Sequence, residues 1–207
     1  MIKRQSLKQV NKLLKQNSSW KILDLGCGDR PNHYATHVAD VRDMSGKVNG
    51  KNFKLIIPDE VLPYENKEFD FVICSHVIEH VENINFFLNE IQRISKKGYI
   101  EVPSRLEDNL IFVNKKDHIW WFKFDDDEQK LLYCKRKQFL EPVMSVNLGW
   151  KFRENFRESF VLELLWEDKI ILEETVEFDE IKNNISRFEV LRKFCSFVIR
   201  TFLKLRY

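Results

Sequence analysis

Two short stretches hold residue types that packing alone does not call for. The first is KILDLGCGDRP, residues 21–31, where an apolar run broken by Asp24 passes at once into Gly26-Cys27-Gly28. Glycines at the end of a strand accept positive φ and let a ligand approach the main chain closely, so this junction is the first candidate binding site. Gly26-x-Gly28-x-x-Pro31 is two-thirds of a dinucleotide fingerprint, with proline at the position where a third glycine would permit close helix packing. Asp40 closes the next apolar run, and a carboxylate there is suited to accept both hydroxyls of a ribose, with Asp43 as the second choice. The second stretch is His76-Val77-Ile78-Glu79-His80. H-x-x-E-H is the signature of a zinc peptidase class in which two histidines one helical turn apart bind the metal. That chemistry needs a helix, whereas His76 follows directly on a run that reads as a strand, so no metal site is expected. Imidazole titrates near neutrality, which makes His76 the first candidate general base, His118 the second, and His80 a neighbour of the same site.

These residues need elements to hold them. Residues 22–25, 37–40, 53–57, 69–74 and 99–102 read as strands, the fourth apolar almost throughout as a central, doubly covered strand should be. Only eleven residues separate Gly28 from Asp40, too few for more than a stunted helix between the first two strands. Asn83 is the expected N-cap of a helix whose Ile84, Phe87, Leu88, Ile91 and Ile94 form one stripe, with Gly98 as its stop. Strand, helix, strand in this rhythm predicts an α/β fold with a doubly wound, mostly parallel sheet. Residues 1–19 read as a helical cap. Residues 118–124 and 131–134, flanking the acidic turn 125–128, read as a β-hairpin inserted within about residues 105–145, and residues 160–166 and 170–178 as a second hairpin closing the sheet. Residues 180–207 read as an amphipathic helix with Phe188, Leu191, Cys195, Val198 and Phe202 on one face, following a domain that spans residues 1–179. Trp120 and Trp121 face opposite ways on a strand, so at most one serves a given site.

Composition excludes several classes. Hydrophobic content of 43% with 32% charged residues is globular, and no apolar run approaches the roughly 18–20 residues of a spanning helix. The basic start lacks the continuous apolar core of a secretory signal, so a cytoplasmic location is expected. Cys27, Cys74, Cys134 and Cys195 form no CxxC pair and read as reduced thiols. The net charge of +2 is uneven, +5 over residues 1–20 and +5 over residues 180–207. Without interleaved aromatics these basic ends do not describe a nucleic-acid surface.

In their order and spacing, ILDLGCGDRP, VADVRD, LPYENKEFDFVICSHVIEHV and FLNEIQRISKKGYIEVPS resemble the class I S-adenosylmethionine-dependent methyltransferases, in their small bacterial branch, over about residues 20–104. The resemblance implies a seven-stranded Rossmann-like sheet with S-adenosylmethionine across the carboxyl ends of its first strands. It implies that Asp24, Gly26, Cys27 and Gly28 hold the methionine part and Asp40 the ribose hydroxyls. Ser75 and His76 fall at the mouth shared by cofactor and substrate, with His80 one turn deeper. An acid that bonds the adenine amine usually stands five residues before the proline of the LPF segment; that place is Pro58 here, and Asp59 beside it takes the role. The implied activity is methyl transfer to an oxygen or nitrogen of a small-molecule or glycan-type acceptor, the alternative being a methyltransferase-like scaffolding subunit without catalysis. The terminal helix then packs on the domain, forms a homodimer, or lies on an anionic membrane surface.

Overall fold

The computed structural model describes residues 1–48, 50–110, 117–137 and 146–176, and six residues beyond them. It divides into two units, Met1–Val176 and Glu177–Tyr207. In chain order the first unit contains β1 (Ile2–Arg4), α1 (Leu7–Gln16), β2 (Ile22–Leu25), β3 (His37–Asp40), β4 (Asn52–Leu55), β5 (Phe71–Ser75), α2 (Ile84–Ile94), β6 (Lys97–Pro103) and α3 (Arg105–Leu110). After these come β7 (Trp120–Asp125), β8 (Lys130–Lys135), α4 (Val146–Asn155), α5 (Arg157–Phe160), β9 (Val161–Glu167) and β10 (Leu172–Glu174). A seven-stranded sheet runs β1-β9-β6-β5-β2-β3-β4, parallel from β6 to β4 and antiparallel where β9 meets β6 and β1. This is the doubly wound α/β architecture that the strand and helix rhythm predicts.

Period-2 alternation splits the central strands between two cores. Ile22, Val38, Phe71, Ile73 and Tyr99 face Val10 and Leu14 of α1, while Leu23, Leu25, Val72, Cys74 and Ile100 share a core with Ile84, Leu88, Ile91 and Ile94 of α2. Each helix is held at its start by side chains. Ser6 and Gln9 form a capping box on α1, and Asn83 accepts the Phe86 N–H at 3.1 Å on α2, as expected for its N-cap.

Several expectations are corrected. Residues 1–19 are not one helical cap: Ile2–Arg4 is an edge strand of the sheet, in register with Leu164–Trp166 of β9. Of its three residues only Ile2 turns inward, into the core that it shares with Leu164 and Trp166. α2 ends at Ser95, not at Gly98, which lies inside β6. A Cβ at Gly98 would stand 2.5 Å from the Val72 carbonyl oxygen and 2.6 Å from the Trp166 indole nitrogen, so its role is to admit the indole. The inserted hairpin is present as β7 and β8, but the second hairpin is not. β9 joins the main sheet, and β10 pairs in parallel with β8 in a separate three-stranded sheet β10-β8-β7. The reason is that β9 is already paired on both sides, with β6 and with β1, and has no edge left for a partner reached by a tight turn.

In the second unit, Leu191, Arg192, Phe194, Cys195, Val198 and Ile199 are helical; the rest of the expected amphipathic helix, Phe188 and Phe202 included, lies outside the described residues. No described helix is long and apolar enough to cross a membrane.

Candidate active site

The carboxyl ends of β2, β3 and β5 open into a crevice of about 480 Å³, the size of a small-ligand site. Gly26, Asp40, Arg42, Asp59, His76 and His80 lie on it with a largely apolar wall that includes Val41, Ile57, Leu62, Val77 and Phe87. A larger hollow of about 780 Å³ opens at the other end of the sheet, near the amino ends of β3 and β4, lined by Lys21, His37, Asn52 and Glu68 among others. Ligands of open α/β sheets bind at the carboxyl ends of the strands, where the order reverses, here between β2 and β5. We therefore take the smaller crevice as the site.

The loop after β2 shows why glycine stands there. Gly26 has φ +76°, and a Cβ on it would fall 2.3 Å from a Val77 methyl, so both conformation and space exclude a side chain. No helix forms between β2 and β3; the loop is tied down by polar contacts instead. Gly26 N–H and Cys27 N–H donate to the Ala39 carbonyl at 2.8 and 3.1 Å. Gly28 N–H donates to Asp40 Oδ2 at 2.9 Å, and Arg42 N–H donates to Asp40 Oδ1 at 2.9 Å. The Asp40 carboxylate is thus fixed in place by backbone donors on both oxygens, at the edge of the crevice.

The other expected cofactor residues divide. Asp24 lies behind the loop, accepting the Asn32 N–H at 2.6 Å; burial pushes its carboxyl up to about 6, against that bond and the charge of Lys51. The Cys27 side chain turns into the α1 core, where burial, with Asp24 and Asp40 nearby, pushes its thiol up to about 11, so only its main chain faces the loop. Asp59 is in the crevice at φ +57°, with Oδ1 3.2 Å from the Asn83 N–H that it receives. Ser75 is half-buried at the end of β5, next to the crevice residue His76.

His76 is the main surprise. It leaves β5 with φ +56°, a costly left-handed conformation for a residue with a Cβ, of the kind that clusters at functional sites. Its Nδ1 is 3.2 Å from Glu79 Oε1 and its Nε2 is 3.1 Å from Glu101 Oε1. Burial alone would lower the imidazole, but the bonds to Glu101 and Glu79 outweigh it and raise it to about 9. The Arg153 guanidinium also meets His76 Nε2 and acts the other way, against the two carboxylates. Burial would likewise raise the Glu101 carboxyl; His76, Tyr99 and Arg157 outweigh it and hold it at about 2. Tyr99 donates to Glu101 Oε2 at 2.5 Å, and Arg157 bridges Glu101 and Glu163 at 2.6 and 3.0 Å.

His80 is half-buried, as His76 is; its Nδ1 lies 3.1 Å from the Asp117 carbonyl. His118 is held through Nδ1 by Asp108 Oδ1 at 2.7 Å, and its ring meets that of His80 edge-on at 4.6 Å. Both tryptophans are structural: Trp120 donates to the Val81 carbonyl and Trp121 to Asp108 Oδ2, at 2.8 and 2.7 Å. Sequence reasoning missed Glu101, Asp108, Arg153, Arg157 and Glu163. Two of them carried a signal, a lone acid inside an otherwise apolar strand: Glu101 in YIEVP and Glu163 in VLELLW.

A family model for a methyltransferase domain matches residues 2–131, more than half of the chain. The chain belongs to that family. It is an S-adenosylmethionine-dependent methyltransferase by this membership, and S-adenosylmethionine is its cofactor. Among curated proteins it is similar to MJ0638 of Methanocaldococcus jannaschii, 28% identical over 159 residues that make up 67% of this chain and 69% of that one. Among solved structures it is similar to the PH0226 protein of Pyrococcus horikoshii, with 16% identity, coverage of 79% and 89%, and a TM-score of 0.47. It is also similar to an S-adenosylmethionine-dependent methyltransferase from Mesorhizobium loti, with 10% identity, coverage of 72% and 90%, and a TM-score of 0.45. Against other solved structures the match spans about half of their length.

Proposed function

We propose that this methyltransferase acts on an oxygen or nitrogen of a small polar acceptor, of sugar or ring type, held beside the cofactor crevice. The crevice fits the cofactor on its own features: a glycine whose Cβ position is closed to any side chain, a fixed carboxylate, and an apolar wall. In this reading Asp40 receives the ribose hydroxyls, the main chain at Gly26 to Gly28 lies along the methionine part, and Asp24 supports that loop from behind. Val41, Ile57 and Leu62 contribute the apolar surface for adenine, with Asp59 at its rim. When bound, the cofactor supplies a methyl group activated by a sulfonium.

The observation that carries the acceptor assignment is that His76 also borders a second hollow, of about 420 Å³, formed with Leu7, Glu101, Trp150, Arg153 and Arg157. A side chain that lines both hollows stands where donor and acceptor would meet. Trp150 offers an exposed indole face to a ring, and Glu154 offers an acceptor for a hydroxyl group. The network of His76, Glu101, Tyr99, Arg157 and Glu163 makes the floor between the hollows rigid, and orientation of two reactants supplies much of the rate in a transfer of this kind.

The test combines titration with S-adenosylmethionine and S-adenosylhomocysteine with transfer of labelled methyl to sugars, alcohols and amines. Micromolar binding of both is expected, with turnover of a hydroxylated ring compound. In Trp150→Ala the acceptor KM should rise about tenfold while S-adenosylhomocysteine binds as before. Turnover untouched by Trp150→Ala would remove the second hollow as the acceptor site.

A further inference from the structure

We propose that Glu79, His80 and His118 form a binding site for a first-row divalent transition cation of the manganese-to-zinc series. One donor atom from each of the three lies within 4.8 Å of the other two. The sequence places only Glu79 and His80 side by side. The fold brings His118 to them, because the Ile119 N–H donates to the Glu79 carbonyl at 2.7 Å and so pins the entry to β7 against the turn Ile78–His80. The pair that a zinc peptidase would use, His76 with His80, is not the pair assembled. His76 is turned toward Glu101, and His118 takes its place.

Two independent features point to a ligand. Glu79 is completely buried, and while its Oε1 meets His76, its Oε2 has no hydrogen-bond partner. A buried carboxylate oxygen left without a partner is costly, and native structures show few of them. Each of the two imidazoles has one ring nitrogen on an oxygen acceptor, as metal-bound histidines do. Nδ1 of His118 is 2.7 Å from the Asp108 carboxylate and Nδ1 of His80 is 3.1 Å from the Asp117 carbonyl, which leaves Nε2 of each ring available. Asp108 is itself fixed by Trp121 and Arg136, so the orientation of His118 is supported from behind.

The donor set selects the ion. Two imidazoles and one carboxylate suit manganese, iron, cobalt or zinc better than magnesium or calcium, which prefer all-oxygen shells. With metal–ligand bonds of about 2.0–2.2 Å, donors in one shell stand roughly 3–3.5 Å apart. Closing from the present spacing therefore takes a movement of about 1 Å, which the half-buried ring of His80 permits. Three protein ligands leave positions open to water, or to an oxygen of a molecule in the crevice that His80 lines. This cation site does not depend on the acceptor hollow beyond His76.

The experiment titrates the whole chain, freed of metal by a chelator, with Zn²⁺, Mn²⁺ and Co²⁺ by calorimetry, following Co²⁺ also by its visible absorption. One equivalent is expected to bind with micromolar or better affinity. His80→Ala and His118→Ala should each weaken it at least tenfold, and Asp108→Asn about tenfold through the orientation of His118. His80→Ala removes a half-buried side chain, and melting in chelator confirms that this variant folds. Absence of stoichiometric binding, or binding unchanged in both histidine variants, overturns the site. S-adenosylhomocysteine is titrated in parallel in chelator. If S-adenosylhomocysteine binds while the separate cation titration shows no uptake, the cation site alone is rejected; if it fails to bind, the cofactor assignment is rejected while the cation titration stands by itself.

Discussion

Replacing Asp40 separates two tasks that the structure gives to one carboxylate. Oδ2 accepts the Gly28 N–H and Oδ1 the Arg42 N–H, both at 2.9 Å, and the residue is 4% exposed at the edge of the crevice. Asp40→Asn has nearly the same shape, but it loses the charge and turns an amide donor toward one of those N–H groups. A bond from a ribose hydroxyl to a charged acceptor contributes about 1.5–3 kcal/mol, so the Kd for S-adenosylhomocysteine should rise roughly 10- to 150-fold. The Gly28 N–H, left facing a donor, adds about 1–3 kcal/mol of lost stability if it finds no water. Asp43→Asn is the control. Asp43 is exposed, caps the Ser45 N–H at 2.9 Å and lies off the crevice, so affinity should stay within about twofold. The assay is calorimetric titration paired with thermal melting. If Asp40→Asn melts lower yet binds S-adenosylhomocysteine as tightly as the parent, the carboxylate only anchors the loop and the ribose assignment is refuted.

The buried carboxyl of Asp24 gives a pH-dependent result of opposite sign. Its folded-state value is raised from 3.8 to about 6, so the folded chain holds this proton more tightly, and stability falls as pH rises from about 4 to about 6 and stays lost above. Asp24→Asn keeps an acceptor for the Asn32 N–H and removes the charge. It should be more stable than the parent at about pH 7.5, by up to about 3 kcal/mol, and nearly equal at about pH 4; urea unfolding at both values checks this, and equal gains at both would refute it. Cofactor affinity of the same variant should fall if the charge supports the methionine end. Gly98→Ala places a Cβ 2.5 Å from a main-chain oxygen that cannot rotate away, so it should cost close to the upper end of the about 1–3 kcal/mol typical of overpacking. An unchanged urea midpoint would show that β5 and β6 can separate locally.

What the sequence determined by itself is local. Apolar runs that end in Gly26 and in Asp40, a helix announced by Asn83, and the spacing of the motifs between them are properties of neighbours along the chain. Period and turn chemistry are enough to read them, and they place the parallel sheet and the crevice at its carboxyl ends. What the tertiary structure decided depends on residues far apart in sequence. Ile2–Arg4 is a strand because β9 offers it an edge, and Gly98 is glycine because Trp166 needs the space. The His76 imidazole is pushed upward because Glu101, 25 positions away, and Glu79 both bond to it, against burial and the Arg153 charge. His118 is drawn beside His80 by one backbone hydrogen bond between Ile119 and Glu79. A side chain's type is written in the sequence, but its charge state and its partners are set by desolvation and by the company that folding brings to it.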